Sequence, residues 1–227
     1  MKKENLGLRI LLLVVGIYIV GLGVALSIRS DLGTSPISSM PYVLNLMMPN
    51  LSVGTFVIII NSLMVMTQVV ILKRKTGYEQ LVQLPLTLLF VLFIDVNLHL
   101  TSSLIFDNYL WQLLTVILSC FVMAFGIFLE LKADVGLLPA EGLSLVISET
   151  YNKNFGKTKV SIDSVFVIVS IILGLSFIGR LAGVREGTIL AALFVGTIAN
   201  YFHKNITFVD KLLPVKKAVE YIAQPYM

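Results

Sequence analysis

Six long runs of apolar residues follow one another along this chain and constrain its fold more than any other feature. An α-helix rises about 1.5 Å per residue, so about 20 apolar residues cross the roughly 30 Å hydrocarbon layer of a bilayer. Five runs reach or approach that length, and the sixth is shorter. The runs are Ile10–Ile28, Val53–Leu72, Leu81–Leu100, Tyr109–Leu131, Val160–Ile178 and Thr188–Phe202. They predict an all-α integral membrane protein with six transmembrane helices in a lipid bilayer.

The composition excludes a soluble globular protein. Of the 227 residues, 57% are apolar and 13% are charged, and the mean hydropathy is +0.92. Soluble domains average about 45–50% apolar and about a quarter charged residues. So few charges cannot cover the surface of a protein of this size in water.

The sequence also lacks signals for enzymatic or nucleic-acid chemistry. The net charge of +4 is modest, and the basic residues lie between the apolar runs, where they act as topology signals. The single cysteine, Cys120, lies within an apolar run, and no Walker-type phosphate loop, HExxH or CxxC motif is present. We therefore predict a protein that is not an enzyme, holds no cofactor or metal, and binds no nucleic acid.

The chain contains an internal repeat. The segment GVALSIRSDLGTSP returns as GIFLELKADVGLLP, 103 positions later. Further along, Asn61 matches Asp163 at an offset of 102, and His99 matches His203 at an offset of 104. These matches predict a first repeat over 1–103, a second over 104–203, and a cytoplasmic amphipathic tail over 204–227.

A short and more polar segment follows the first long run of each half, at 35–48 and 137–150. Both segments are too short to be comfortable spans, so we predict re-entrant or interfacial helices. Three spans per half make the second half enter the membrane in the opposite sense, as an inverted-topology repeat. With both termini in the cytoplasm, 14 of the 17 basic residues fall on the inner side, as the positive-inside rule requires.

Each short helix is preceded by a D-x-G-x-x-P loop, and the two loops are the first candidates for a solute site. The loops contain Arg29, Asp31, Gly33 and Pro36 in the first half, and Lys132, Asp134, Gly136 and Pro139 in the second. Free N–H groups at the start of a helix favour an anion. Two compatible interpretations stay open. The aspartates cap the short helices and pair with the basic residues, or the loops meet as a site at the repeat interface.

Polar residues inside the spans form a second set of candidates. An ionisable side chain in a membrane span is costly and by default suggests function. Asp95 is the sharpest case, because it lies well inside its run with no cation nearby in sequence, and we expect it to be buried. Asn61 is expected to line a packed or hydrated interface. Glu130 is expected to pair with Lys132, and Asp163 to stabilise the N-terminus of its helix.

Three stretches of the chain resemble the YczE/YyaS/YitT family of bacterial membrane proteins: GLGVALSIRSDLGTSPISSMPYVL, LLFVLFIDV and REGTILAALFVGTIANYF. The resemblance covers about residues 6 to 203, and the loop from Arg29 to Pro36 is its most recognisable part. The second loop departs from the pattern, with Lys132 in place of arginine. The resemblance implies a multi-spanning protein of the bacterial inner membrane and supplies no activity.

The lead hypothesis is a transporter or facilitator of a small polar solute, anions included. Inverted repeats with broken helices are common among secondary transporters, and alternating access would rock one half against the other at the repeat interface. The predicted substrate-binding residues are Arg29, Asp31, Gly33, Pro36, Asn61, Asp95, Lys132, Asp134, Gly136 and Pro139. The alternative is a non-transporting membrane protein that binds and regulates or assembles a partner. A homo-oligomer stays open under either hypothesis.

Overall fold

A computed structural model describes residues 6–73, 77–181 and 183–206. The described residues form helices joined by short loops, which confirms the all-α prediction. The helices are α1 (Leu6–Arg29), α2 (Pro36–Met47), α3 (Val53–Leu72), α4 (Tyr78–Leu100), α5 (Tyr109–Ala133), α6 (Pro139–Thr150), α7 (Phe155–Leu173) and α8 (Glu186–Asn205). A π-helical stretch, Gly174–Ile178, continues α7. Most of the predicted tail at 204–227 lies outside the described residues.

The chain is a multi-pass membrane protein. Among the described residues, α1, α3, α4, α5 and α7 with its π-helical extension are long and apolar enough to cross a bilayer. Large apolar side chains such as Leu63, Met66 and Val70 of α3 are exposed on the outside of the helices, where lipid covers them. The remaining long helix, α8, has 20 residues and does not reach the same apolar content, so the sixth span stays a prediction.

Helix α7 begins five residues earlier than the predicted span, which started at Val160. The side chain of Asn154 caps the helix by accepting a hydrogen bond from the backbone N–H of Lys157 at 3.2 Å. The first turns therefore include two lysines that the apolar pattern had excluded. Of these, Lys159 is buried, with 3% of its surface exposed.

The helices pack as two groups of four. Helices α1 and α5 pack against each other along their lengths, α4 adds to α1, and α8 adds to α5. We call these four helices the apolar bundle. The other four, α2, α3, α6 and α7, form the polar bundle, in which α2 packs on α3 and α7, and α6 packs on the same two helices. Each bundle has its own cluster of packed apolar side chains.

Glycines allow the close approach of α1 and α5 at the centre of the apolar bundle. A Cβ atom added to Gly126 would lie 2.6 Å from Cγ2 of Val20 and 2.8 Å from the carbonyl oxygen of Gly16. A Cβ atom added to Gly16 would lie 3.0 Å from the carbonyl oxygen of Gly126. Any larger residue would push the two helices apart.

The two short helices begin with proline and are each 12 residues long. The hydroxyl of Ser35 caps α2 by accepting from the N–H of Ser38, whereas α6 has Leu138 at its cap position and no side-chain cap there. The aspartates of the loops do not cap these helices, so the predicted capping is wrong. Asp31 and Asp134 instead adopt left-handed conformations, with φ of 56° and 51°, just after α1 and α5 end.

Candidate functional site

A small cavity of about 50 Å³ lies between the two bundles. The first turns of both short helices reach it, together with residues from the middle of α3, α4, α5 and α8. Its wall on the side of the apolar bundle consists of Val20, Val24, Phe90, Met123, Ile127, Ala191 and Val195. Its wall on the side of the polar bundle includes Ser35, Ser38, Asn61, Glu141, Lys159 and Asp163. The polar and apolar walls thus belong to different groups of helices.

Lys159 is the centre of a buried ionic cluster on the polar wall. Its Nζ donates to Oδ1 of Asp163 at 2.8 Å and lies 3.5 Å from Oε1 of Glu141. The side chains of these three residues are at most 5% exposed. Lys159 and Asp163 are one helical turn apart on α7, and Glu141 lies in the first turn of α6. The cluster therefore joins α6 to α7 beside the cavity.

Glu130 adds a further carboxyl group to this cluster. It lies near the end of α5 and is fully buried, and its Oε2 accepts from the backbone N–H of Leu138 at 3.3 Å. Its Oε1 has no hydrogen-bond partner among the described residues. The charges of Glu141 and Lys159 act on it. Glu130 thus supplies the acceptor that the uncapped start of α6 needs.

The residues of the first repeat that line the polar wall include no charged side chain. Ser35 donates from its hydroxyl to Oγ of Ser38 at 2.9 Å. Asn61 is 4% exposed and donates from Nδ2 to Oγ1 of Thr87 at 3.3 Å. The first turn of α2 contains no acidic residue. The start of α2 therefore meets the cavity with serine hydroxyls, whereas the start of α6 meets it with the carboxylate of Glu141.

Buried amides hold α6 in place. Gln68 of α3 and Gln83 of α4 exchange two hydrogen bonds, each of 2.8 Å, and Nε2 of Gln68 also donates to the carbonyl oxygen of Pro139 at 3.0 Å. At the other short helix, the hydroxyls of Ser39 and Ser170 lie 2.8 Å apart and link α2 to α7. These bonds fix both short helices relative to the long helices that line the cavity.

Three of the ten predicted site residues line the cavity: Pro36, Asn61 and Pro139. The structure does not bring Asp31 and Asp134 there. Asp31 is exposed and lies 3.8 Å from Nη1 of Arg185, and with Arg29 it lines an open depression of about 430 Å³ at the end of α1. Asp134 is half-buried where α5 ends.

The other predicted residues have structural surroundings of their own. Arg29 donates to the carbonyl oxygen of Leu98 at 2.6 Å, and the ammonium of Lys132 lies 5.7 Å from the ring centroid of Phe128. Gly33 has a φ of 109°, a conformation that favours glycine, and a Cβ atom on Gly136 would lie 3.1 Å from Leu86. The expectation that Asp95 is buried is wrong, because Asp95 is exposed on α4.

Sequence reasoning missed the ionic cluster. The sequence predicts that Asp163 stabilises the N-terminus of its helix and that Glu130 pairs with Lys132, but Asp163 binds Lys159 and Glu130 binds the start of α6. One signal was present in the sequence. A lysine and an aspartate four residues apart on a helix face each other, and Lys159 and Asp163 have this spacing at the start of the fifth apolar run.

The comparisons with known proteins give a family and assign no activity. A family model described as "Family of unknown function (DUF6198)" matches residues 7–204, and the chain belongs to this family. The chain is 23% identical over 192 residues to "Uncharacterized protein YyaS" of Bacillus subtilis (strain 168). The aligned region covers 83% of this chain and 92% of the relative. This similarity confirms the predicted resemblance to a bacterial family. No solved structure matches the chain.

Proposed function

We propose that this member of the DUF6198 family is a membrane transporter or facilitator of a small polar solute, and that the cavity between the bundles is the solute site. The observation that carries the proposal is the buried ionic cluster on the cavity wall. Burying charged groups in a membrane protein costs free energy, and such groups commonly mark a substrate or ion pathway. Glu141, Lys159 and Asp163 all reach the cavity.

Helix packing supports the proposed inverted repeat. The contact of α1 with α4 has its counterpart in α5 with α8, and the contact of α3 with α6 has its counterpart in α7 with α2. The cavity residues Ser38 and Asn61 correspond in the repeat to Glu141 and Asp163. We infer six spans with both termini in the cytoplasm, as the distribution of basic residues favours, in the inner membrane of a bacterium.

The division into bundles suggests a motion different from the rocking of one half against the other. Each bundle contains two helices from each half, and the polar solute-binding groups belong to the polar bundle. We infer that the polar bundle moves against the apolar bundle and exposes the cavity to each side of the membrane in turn. The apolar wall offers no side-chain hydrogen bond, but the movement must break the buried hydrogen bonds between Gln68 and Gln83 and between Asn61 and Thr87, which join α3 to α4.

Thiol accessibility tests alternating access without knowledge of the solute. In a Cys120→Ser background, Ser38→Cys places one thiol on the polar wall and Ala191→Cys places one on the apolar wall. We expect both thiols to react with a membrane-impermeant maleimide added to either side of sealed vesicles. The wild-type protein is the control, because its only cysteine is buried and does not line the cavity.

The outcome separates transport from the alternative of a partner-binding protein. Reaction from both sides supports alternating access. Reaction from one side only, or from neither, contradicts it, because a static cavity does not open to both faces. In that case the protein is better described as one that binds and regulates or assembles a partner.

A further inference from the structure

The ionic cluster has more negative than positive groups. At the cavity, Glu141 and Asp163 provide two carboxylates and Lys159 provides one ammonium. All three residues are at most 4% exposed. A buried carboxylate without a partner is very unfavourable, so this site favours an additional positive charge.

The N-terminus of α6 stabilises part of the excess negative charge. Glu141 lies in the first turn of that helix, where the helix dipole favours a negative charge. That dipole is equivalent to about half an elementary charge, which is less than the imbalance.

The form of the missing positive charge follows from the geometry. Among the described residues, no three histidine, cysteine, aspartate or glutamate side chains are arranged to hold a metal ion. An alkylammonium group carries N–H donors that suit separate carboxylates around a cavity. Glu141 and Asp163 both reach the cavity, and each has a carboxylate oxygen other than the one nearest to Lys159.

We propose that the solute carries a positively charged nitrogen, which binds to Glu141 and Asp163 on the charged part of the cavity wall. This inference rests on the cavity being the solute site. It narrows the earlier expectation of a polar solute that included anions, because an anion would face the carboxylates. The apolar wall formed by Val20, Phe90 and Met123 suits a small hydrocarbon portion of the same solute.

Thermal unfolding of the purified protein tests the charge of the solute. The probes are methylammonium chloride and ethanolammonium chloride, compared at equal ionic strength with sodium chloride, potassium chloride and sodium formate, and with acetamide as a neutral probe. We expect the melting temperature to rise and saturate with the two ammonium salts only. Equal stabilisation by sodium or potassium, by formate or by acetamide overturns the proposal, and so does the absence of any rise with the ammonium salts.

Variants then locate the binding groups. Glu141→Gln and Asp163→Asn each remove one carboxylate and keep the shape of the side chain. We expect each variant to bind the ammonium probes at least about tenfold more weakly than the wild type does. Glu149→Gln, on the exposed part of α6, is the matched control and should bind as the wild type does. Wild-type affinity in both cavity variants would overturn the assignment to this wall. If one variant fails to fold, the other variant and the comparison of probes still decide.

The experiments distinguish failure of the cationic-solute proposal from failure of the proposed transport. Selective binding of ammonium probes without thiol accessibility from both sides leaves a cation-binding protein that does not transport. Thiol accessibility from both sides without selective binding leaves a transporter whose solute is not a cation.

Discussion

The buried ion pair on α7 makes a quantitative prediction. Lys159 is 3% exposed and contacts the carboxylates of Asp163 and Glu141 at 2.8 and 3.5 Å. Lys159→Met therefore leaves both carboxylates buried without a cation, and removing one partner of a buried ion pair costs about 3–5 kcal/mol. The double variant Lys159→Met/Asp163→Asn removes the nearer carboxylate as well. We expect it to recover part of the loss, and only part, because Glu141 stays unpaired.

Cys120 provides the assay for these variants. It is the only cysteine of the chain and is 3% exposed, so a fluorogenic maleimide reacts with it when the protein unfolds. Melting curves in detergent should rank the wild type first, the double variant second and Lys159→Met last. Lys157→Met, an exposed position two residues earlier on α7, is the matched control. A melting temperature of Lys159→Met equal to that of the wild type, or of the double variant below that of Lys159→Met, would refute the reasoning.

The same assay tests three further predictions. Gly126→Ala should lower the stability by about 1–3 kcal/mol, because its Cβ would lie 2.6 Å from Val20, whereas Gly7→Ala, with nothing within 4 Å, should leave it unchanged or raise it. Gln68→Leu should cost about 1–3 kcal/mol, because its buried partners on α4 and α6 lose their hydrogen bonds; wild-type stability would contradict this. Arg185→Gln should change the stability by less than about 1 kcal/mol, since its ion pairs are solvent-exposed, and a larger loss would contradict this.

The helices were predictable from local sequence, because the length and spacing of apolar residues determine them directly. The third helix occupies Val53–Leu72, the range predicted from its apolar run. Where a helix begins with polar residues, the apolar pattern does not predict its first residue, as at the start of α7. There the helix begins at a capping asparagine, Asn154, and includes Lys157 and Lys159 in its first turns.

Asp95 shows the limit of judging a polar residue by its depth in a run alone. The buried polar residues of α4 include Gln83, Thr87 and Asn97, and with the C-terminal cap residue Thr101 their spacings place them on one face of the helix. Asp95 is two residues from Asn97, and residues two apart on an α-helix do not share a face. The spacing of the other polar residues was therefore the better guide to which face is buried.

The ionic cluster could not be derived in full from the sequence, because its members lie on three helices that meet only in the folded protein. The pair Lys159 and Asp163 had a local signal in its spacing, but Glu130 and Glu141 did not. Glu130 also shows why a local partner can mislead. Lys132 is two residues away on the same helix and points to Phe128, whereas Glu130 binds the start of α6, eight residues further along the chain.

The difference between the two halves bears on how the protein would work. Under the proposed repeat, Ser38 corresponds to Glu141 and Asn61 to Asp163, so the charged groups of the second half replace neutral groups of the first. A symmetric pair of charged walls would bury still more unpaired charge around a cavity of about 50 Å³. When only the second half contributes charged groups, a single cationic group of the solute compensates the excess negative charge. The serines of the first half and the apolar wall then contact the rest of the solute. The transport cycle would therefore depend on neutralisation of the carboxylates, because the polar bundle crosses between its two positions more easily when the cavity carries no net charge.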